Sequence, residues 1–489
     1  MSAHGKSKRP APDQLFVDIA KYVTRKTVGT RAAYLTARYC LMDAISCALD
    51  ALDSPECMSL VGPLVPGATM KGGARVPGTR LELDPVAAAF NTGCLIRWLD
   101  FNDTWWAGGH PSDNYSAILS VADYVSRARI AARQKPLSMV EALTAAIQAY
   151  EIQGVLAMGT DFDDIGLDHV MLIKMASAAV CTRLLGGSVA QIVSAVSNAV
   201  IEGGTLVTYR KSPNSGPRKS WAAGDATSRA VRLALLALRG EIGYPTALSV
   251  KTWGFNDVLN RGEPLKVPRA FGSYVIENIR YKIAFPAQRH AQTGAECAVR
   301  LHPKVQGRVN DIEKIVVHTH KVTLSKICAT GPLNTAAARD HSLQYIIAVG
   351  LIFGDITGTS YEDEFAADPR IDQVRGKMKV VEDPRYTHGF ISADRSDANS
   401  VQVFFKDGTK TERLEILYLL GDPKRRKEGL PLLERKFKNS LARRFSPARQ
   451  RMIWNMVSNQ SRLEKTPVSD FMSLLVEETA KGARNRSAK

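Results

Sequence analysis

Helix punctuation dominates the first 270 residues and constrains the fold more than any other feature of the chain. Asp84-Pro85 supplies an N-cap and a proline at the first helical position ahead of VAAAFNTGCLIRWL, a helix expected to end near Asp100. Ser138 and Glu141 have capping-box spacing before ALTAAIQAYEIQGVLA, and Ser188 with Gln191 repeats it before IVSAVSNAVI. His169 begins VMLIKMASAAVCTRLL, which Gly186-Gly187 closes, and Asp225 leads SRAVRLALLALRG to another glycine stop. Apolar residues recur at helical spacing, and Ala, Gly and Ser crowd the segments, so neighbouring helices can approach closely. Such a chain is expected to form a large helical bundle.

Between about 270 and 415 the pattern changes. Glu313 to His320, EKIVVHTH, is rich in β-branched residues. Val401 to Phe405, then Lys406-Asp407-Gly408-Thr409, then RLEILY predict two strands joined at an Asp-Gly turn. Ala338 to Gly354 reads as one helix inside this region. Helical patterning returns in PLLERKFKNSLARRF and PVSDFMSLLVEETA. The expected organisation is a helical domain of residues 13–270, an α+β unit inserted at 271–415, and a returning helical segment at 416–480. Flexible basic tails are expected at 1–12 and 481–489.

Seven cysteines, none in a C-x-x-C pair, argue against a disulfide framework, a zinc ribbon or a ferredoxin-type cluster. No uncharged apolar run reaches the roughly 18 residues of a membrane span, and the N-terminus lacks the apolar core of a secretory signal. A soluble, intracellular protein without membrane partners is expected. Basic residues outnumber acidic ones by 65 to 48, and residues 421–489 alone hold 17 Lys/Arg against 7 Asp/Glu. That excess would permit nucleic-acid contact, yet no zinc finger, RNA-recognition signature or aromatic-basic interleaving accompanies it. No nucleic-acid partner is expected.

Three polar clusters interrupt the helical segments. In the first, DFNDTWWAGGHPSDN (100–114), Asp100, Thr104 and His110 gather in a glycine-containing loop between two helices, the second capped by Ser112 or Asp113. In the second, Asp161 to His169, the aspartates read as solvated loop and cap positions. His169 stands at a helix start, where the dipole favours a neutral imidazole. In the third, Tyr209, Arg210, Lys211, Arg218 and Lys219 form a basic loop suited to carboxylates or phosphates. A fourth group, Lys282 with Arg289 and His290, stands where the α+β unit begins. His318 and His320 alternate on a strand and share a face, but with no third ligand no metal is expected.

Phosphate-loop, dinucleotide, zinc-protease and serine-hydrolase motifs are all absent from the sequence. Imidazole, carboxylate and ammonium groups without a cofactor fit proton abstraction beside a carboxylate, coupled to loss of a leaving group. Cations stabilise the dianion that develops, a histidine takes the proton, and a second His, Asp or Lys protonates the departing hydroxyl. A substrate with several carboxylates calls for several Lys/Arg, which the third cluster has.

The stretches DFNDTWWAGGHPSDN (100–114), GLDHVMLIKMAS (166–177), TYRKSPNSGPRKSWAAGDATSRAVRLAL (208–235), KIAFPAQRHAQTGAE (282–296) and RDHSLQY (339–345) resemble members of the MmgE/PrpD family, in order over nearly the whole chain. The resemblance implies a fold that is mainly α with an α+β lid, the helical domain built from both chain ends. It implies a homodimer, cytoplasmic or mitochondrial, that dehydrates the small tricarboxylate 2-methylcitrate to 2-methyl-cis-aconitate in propionate breakdown. No cofactor, iron–sulfur cluster or metal is implied. Residues carried over as catalytic are Asp100, His110, His169 and Lys219, with Asp100 orienting His110. Thr104 is carried over as substrate-binding, Lys282 matches the family lysine before FPA loosely and His290 stands in for the histidine after it; Tyr209, Arg210 and Arg218 of the basic loop are expected to bind substrate beside them. The same family contains a cis-aconitate decarboxylase, in which a histidine directly follows the FPA segment. Gln288 stands there in this chain and His290 lies two residues on, so decarboxylation is the second reading. A basic nucleic-acid-binding scaffold is a third, and would show salt-sensitive binding lost on removal of residues 421–489.

Overall fold

The computed structural model describes residues 9–211, 214–328 and 330–478. Most of the tails expected at 1–12 and 481–489 therefore lies outside the described residues. Eight helices of at least ten residues make up the first segment: α1 (Gln14–Val23), α2 (Arg31–Ala51), α3 (Pro85–Arg97), α4 (Asn114–Ala131), α5 (Met139–Gly159), α6 (Val170–Leu184), α7 (Val189–Ile201) and α8 (Arg218–Leu238). The caps read from sequence hold α3, α5 and α7. Asp84 accepts from the amides of Val86 and Ala87 at 2.9 and 3.1 Å, and both capping boxes form. Among the described residues no helix is long and apolar enough to cross a membrane.

Two helix boundaries differ from the sequence reading. The last long helix of the segment begins at Arg218 rather than at Asp225. Asp225 lies mid-helix, its carboxylate 3.0 Å from both Arg218 and Arg229, so it pairs along the helix instead of capping it. Two cations, Arg218 and Lys219, thus occupy a first turn whose dipole disfavours them. Ala338 to Gly354 is not one helix either. A short turn, Ala336–Arg339, is separated by Asp340-His341-Ser342 from a second helix, Leu343–Phe353. Ser342 caps that helix through the Tyr345 amide, while Asp340 bonds Lys219.

The α+β unit consists of α9 (Gln292–Val305), β1 (Ile312–Thr319), α10 (Leu343–Phe353), β2 (Met378–Glu382), β3 (Asn399–Phe405) and β4 (Leu414–Ile416), with short helices between. Its sheet has strand order β2-β1-β3-β4, parallel between β2 and β1 and antiparallel elsewhere. Ile312, Ile315, Val317, Val401 and Val403 pack with α9 and α10 in a separate apolar core that runs from Phe285 to Ile416. The larger core extends from Phe16 to Ile283 and resumes at Leu433 to Leu475, where α11 (Arg426–Arg444), α12 (Pro447–Val457) and α13 (Val468–Leu474) return to the bundle.

α3 and α8 cross at two glycines. A Cβ on Gly93 would stand 2.5 Å from the Gly224 Cα, and one on Gly224 would stand 2.6 Å from the Phe90 carbonyl. Neither neighbour is a side chain that can turn away. The crossing sets the end of α3, which leads to Asp100, against the start of α8, which carries Lys219. Gly93→Val is expected to cost about 3 kcal/mol or more by overpacking, read as a lowered midpoint in urea unfolding with unchanged slope.

Candidate active site

The end of α3, the α3–α4 loop, the start of α6, the start of α8, Lys282 and the α+β unit meet in one buried cluster. Asp100 is its hub. It has φ 48°, in the left-handed region that a non-glycine residue occupies only when held there. Its carboxylate accepts from Arg97 at 2.7 Å and from Lys282, whose ammonium also donates to the Asp100 carbonyl at 2.6 Å. Burial pushes the Asp100 carboxyl up, but Arg97 and Lys282 outweigh it and hold the group well below the usual range. Burial lowers Lys282 and Asp100 opposes it, leaving the ammonium at about 8.

His110 is not oriented by Asp100 as expected. Its Nε2 is 3.6 Å from that carboxylate. Instead Nδ1 donates to the Asp103 carbonyl at 2.7 Å, which leaves Nε2 to accept from Arg97 at 3.1 Å. The Asp103 side chain is anchored by Tyr150 and the Ser112 amide, and burial raises its carboxyl to about 6. Burial and Arg97 keep His110 neutral.

His169 faces the same space, with its ring centroid 5.8 Å from that of His110. Its Nδ1 lies 3.1 Å from Asp168 Oδ1, while Nε2 is buried without a hydrogen-bond partner among the described residues. Burial lowers this histidine to about 4 against the pull of Asp168. Asp168 is not a solvated cap but a buried carboxylate. Tyr209 donates to it at 2.7 Å and Arg210 bonds the same oxygen, and Arg210 holds the carboxyl well below its ordinary range despite burial. With a proton on Nδ1 toward Asp168, this imidazole would carry its lone pair on Nε2.

The α+β unit closes the cluster. Lys219 donates to Asp340 and to the Ala337 carbonyl at 3.1 Å, and its Nζ is 3.0 Å from His341 Nδ1, which is itself 2.6 Å from Asp340. Asp100 lies close enough to both His169 and His341 to favour their charged forms. The three imidazoles and Arg210 are partly open to solvent: side-chain exposure is 12, 20 and 24% for His110, His169 and His341 and 12% for Arg210, against 3% for Lys219 and none for Lys282. Asp100, His110, His169, Lys219, Tyr209, Arg210 and Lys282 are therefore brought together.

The other sequence candidates fall outside the cluster. Thr104 forms a backbone bridge with Arg280 and joins the loop to the start of the α+β unit. Arg218 turns away to stack on Trp221 and pair with Asp225. It lines a neighbouring cleft of about 530 Å³ with Lys174, Glu202 and Arg229, and Tyr209 forms a wall that the cleft shares with the cluster. His290 donates to Asp397 at 2.8 Å and packs on His320 and Phe390. His318 and His320 do not share a face, because His320 falls past the strand end and caps the next helix. Arg97, Asp168, Asp340 and His341 were missed. The legible signals were the Arg97/Asp100 spacing of three and a polar triplet interrupting an apolar helix.

Among the described residues, two groups of donor atoms are close enough for a metal ion, Asp100/Asp340/His341 and His290/His320/Asp397. In both, cations already hold the carboxylates: Lys282 and Lys219 in the first, Arg280 in the second. Neither group suits a resident metal. Because Asp100 stabilises the Lys282 ammonium, which burial brings down to about 8, Asp100→Asn is expected to move the basic limb of the kcat/KM profile to lower pH than in the unaltered protein.

Fold and site together describe a two-domain protein with an acid–base and polycation site where the domains meet. The chain matches the MmgE/PrpD N-terminal domain over residues 17–268 and the MmgE/PrpD C-terminal domain over residues 285–462. It belongs to the MmgE/PrpD family, as the five sequence blocks suggested. It is 51% identical over 474 residues to 2-methylcitrate dehydratase of Cupriavidus necator, covering 96% of this chain and 98% of the relative. It is 48% identical over 482 residues to 2-methylcitrate dehydratase of Escherichia coli K12, covering 97% and 100%. The mitochondrial 2-methylcitrate dehydratase of Yarrowia lipolytica is 44% identical over 475 residues, covering 96% and 91%.

Proposed function

We propose that this protein is a 2-methylcitrate dehydratase, a hydro-lyase that converts 2-methylcitrate to 2-methyl-cis-aconitate in the methylcitrate cycle of propionate breakdown. The observation that carries the reading is the gathering of Arg97, Arg210, Lys219 and Lys282 with three partly exposed imidazoles, one of which has a buried, unpartnered lone pair. Near-half identity to 2-methylcitrate dehydratases over nearly the full chain supports the substrate.

In this mechanism the cations hold the carboxylates and stabilise the charge that develops when the carbon beside one of them is deprotonated. His169 Nε2 takes the proton from the carbon that bears the methyl group. That electron pair becomes the second bond to the neighbouring carbon, and the hydroxyl leaves as water with a proton from the Lys219–Asp340–His341 group. Exchange with solvent then removes the proton from His169 and restores the one lost. His110 Nε2 already accepts from Arg97, so His110 fixes that guanidinium rather than serving as the base. No cofactor is required by this scheme. The resemblance adds a homodimer, for which light scattering should give twice the chain mass, and a cytoplasmic location, or a mitochondrial one in a eukaryote.

Decarboxylation of cis-aconitate is the competing reading, and mass analysis of products separates the two. Purified protein given 2-methylcitrate should release water and accumulate the conjugated tricarboxylate. Release of carbon dioxide from cis-aconitate, with 2-methylcitrate untouched, would overturn the proposal.

A further inference from the structure

The returning C-terminal segment contributes one group to the site from behind. Lys436 on α11 occupies the apolar face of its helix, beside Leu433, Phe437, Ser440 and Leu441, where burial would favour another apolar residue. It is buried, and its ammonium donates to Asp43 at 2.8 Å, to the Phe101 carbonyl at 2.9 Å and to the Lys282 carbonyl at 3.4 Å. It also lies 3.4 Å from the centroid of the Phe101 ring. Those two carbonyls belong to the segments that carry Asp100 and Lys282.

We propose that Lys436 is a positioning residue that sets the Asp100–Lys282 pair by pinning both backbones from the side opposite the substrate. The bonds close a ring. Lys282 Nζ donates to the Asp100 carbonyl, one peptide on Phe101 accepts from Lys436, and Lys436 reaches back to the Lys282 carbonyl. Within this ring Asp100 keeps its left-handed backbone, which would otherwise relax. The proposal rests on the cluster around Asp100 being the active site. The groups that face the Lys282 ammonium are Asp100, Arg97, His110 and Asp43 from the helical domain and Asp340 from the α+β unit, so a shift in how Asp100 meets it is readable as titration.

The test uses the whole chain carrying Asp43→Asn with Lys436→Met, which removes the buried Asp43–Lys436 ion pair as a unit. It is expected to fold, lose about tenfold or more in kcat with KM little changed, and shift the basic limb of kcat/KM downward. Lys436→Arg keeps a cation against Asp43, so it retains folding if the double variant does not. It is expected to show the same changes, reduced in size. A crystal structure of either variant reads the claim without turnover, since Asp100 should leave positive φ. Unaltered protein that fails to turn over 2-methylcitrate refutes the dehydratase reading and leaves that backbone readout decisive. Variants that keep wild-type kcat and limb, lose kcat with the limb unmoved, or keep Asp100 at positive φ would overturn the inference.

Discussion

His169→Asn should abolish most dehydration, lowering kcat by about a thousandfold while KM moves little. The basis is geometric: Nε2 is a buried lone pair without a partner among the described residues, on a ring set by Asp168 through Nδ1. Asparagine retains a polar atom near Asp168 and deletes Nε2, so the loss isolates the proton-accepting atom. General-base removal elsewhere costs about 10²- to 10⁴-fold, and a half-buried imidazole that stays neutral down to pH about 4 is available as a base across the physiological range. Steady-state kinetics with 2-methylcitrate, alongside circular dichroism to verify folding, decides it. Wild-type kcat in the variant would rule out His169 as the base and leave His110 as the imidazole to test.

Lys219→Met should be nearly as damaging, lowering kcat/KM by about 10²- to 10³-fold, the scale of losing one donor to developing charge. Lys219 joins the two domains chemically, since it starts α8 yet bonds Asp340 and reaches His341 in the α+β unit. Without it the buried Asp340 carboxylate loses its cation. His341, whose imidazolium Lys219 disfavours, becomes easier to protonate, so the acidic limb should move upward. Lys219→Arg should not restore turnover, because a planar fork cannot occupy the point where the Asp340 carboxylate, the Ala337 carbonyl and the His341 ring converge. A restored rate with arginine would mean that charge alone matters there.

Much of this was legible before any coordinates. Caps at Asp84, Ser138 and Ser188 mark real helix starts because each is a local bargain between one side chain and the next few amides. The family likeness rests on segments that are themselves loops and helix ends, which is why they located most of the cluster. Reading failed where a residue serves a distant partner. Asp225 resembles a cap but pairs along its helix, and Asp340-His341 breaks a helix in order to meet Lys219, 121 residues away in sequence. Arg97 and Asp168 look like ordinary helix-end charges until the fold buries them together. Lys436 was hidden in a basic stretch whose other members are mostly exposed. Long-range electrostatics leaves little trace in local spacing.

The most direct test of the account is a structure of the protein with 2-methyl-cis-aconitate bound. The account predicts the ligand between the helical domain and the α+β unit, its carboxylates held by Arg97, Arg210, Lys219 and Lys282. The methyl-bearing carbon should lie within about 3.5 Å of His169 Nε2. Ligand seated instead in the cleft beside Arg218, Lys174 and Arg229, with the imidazoles untouched, would contradict it.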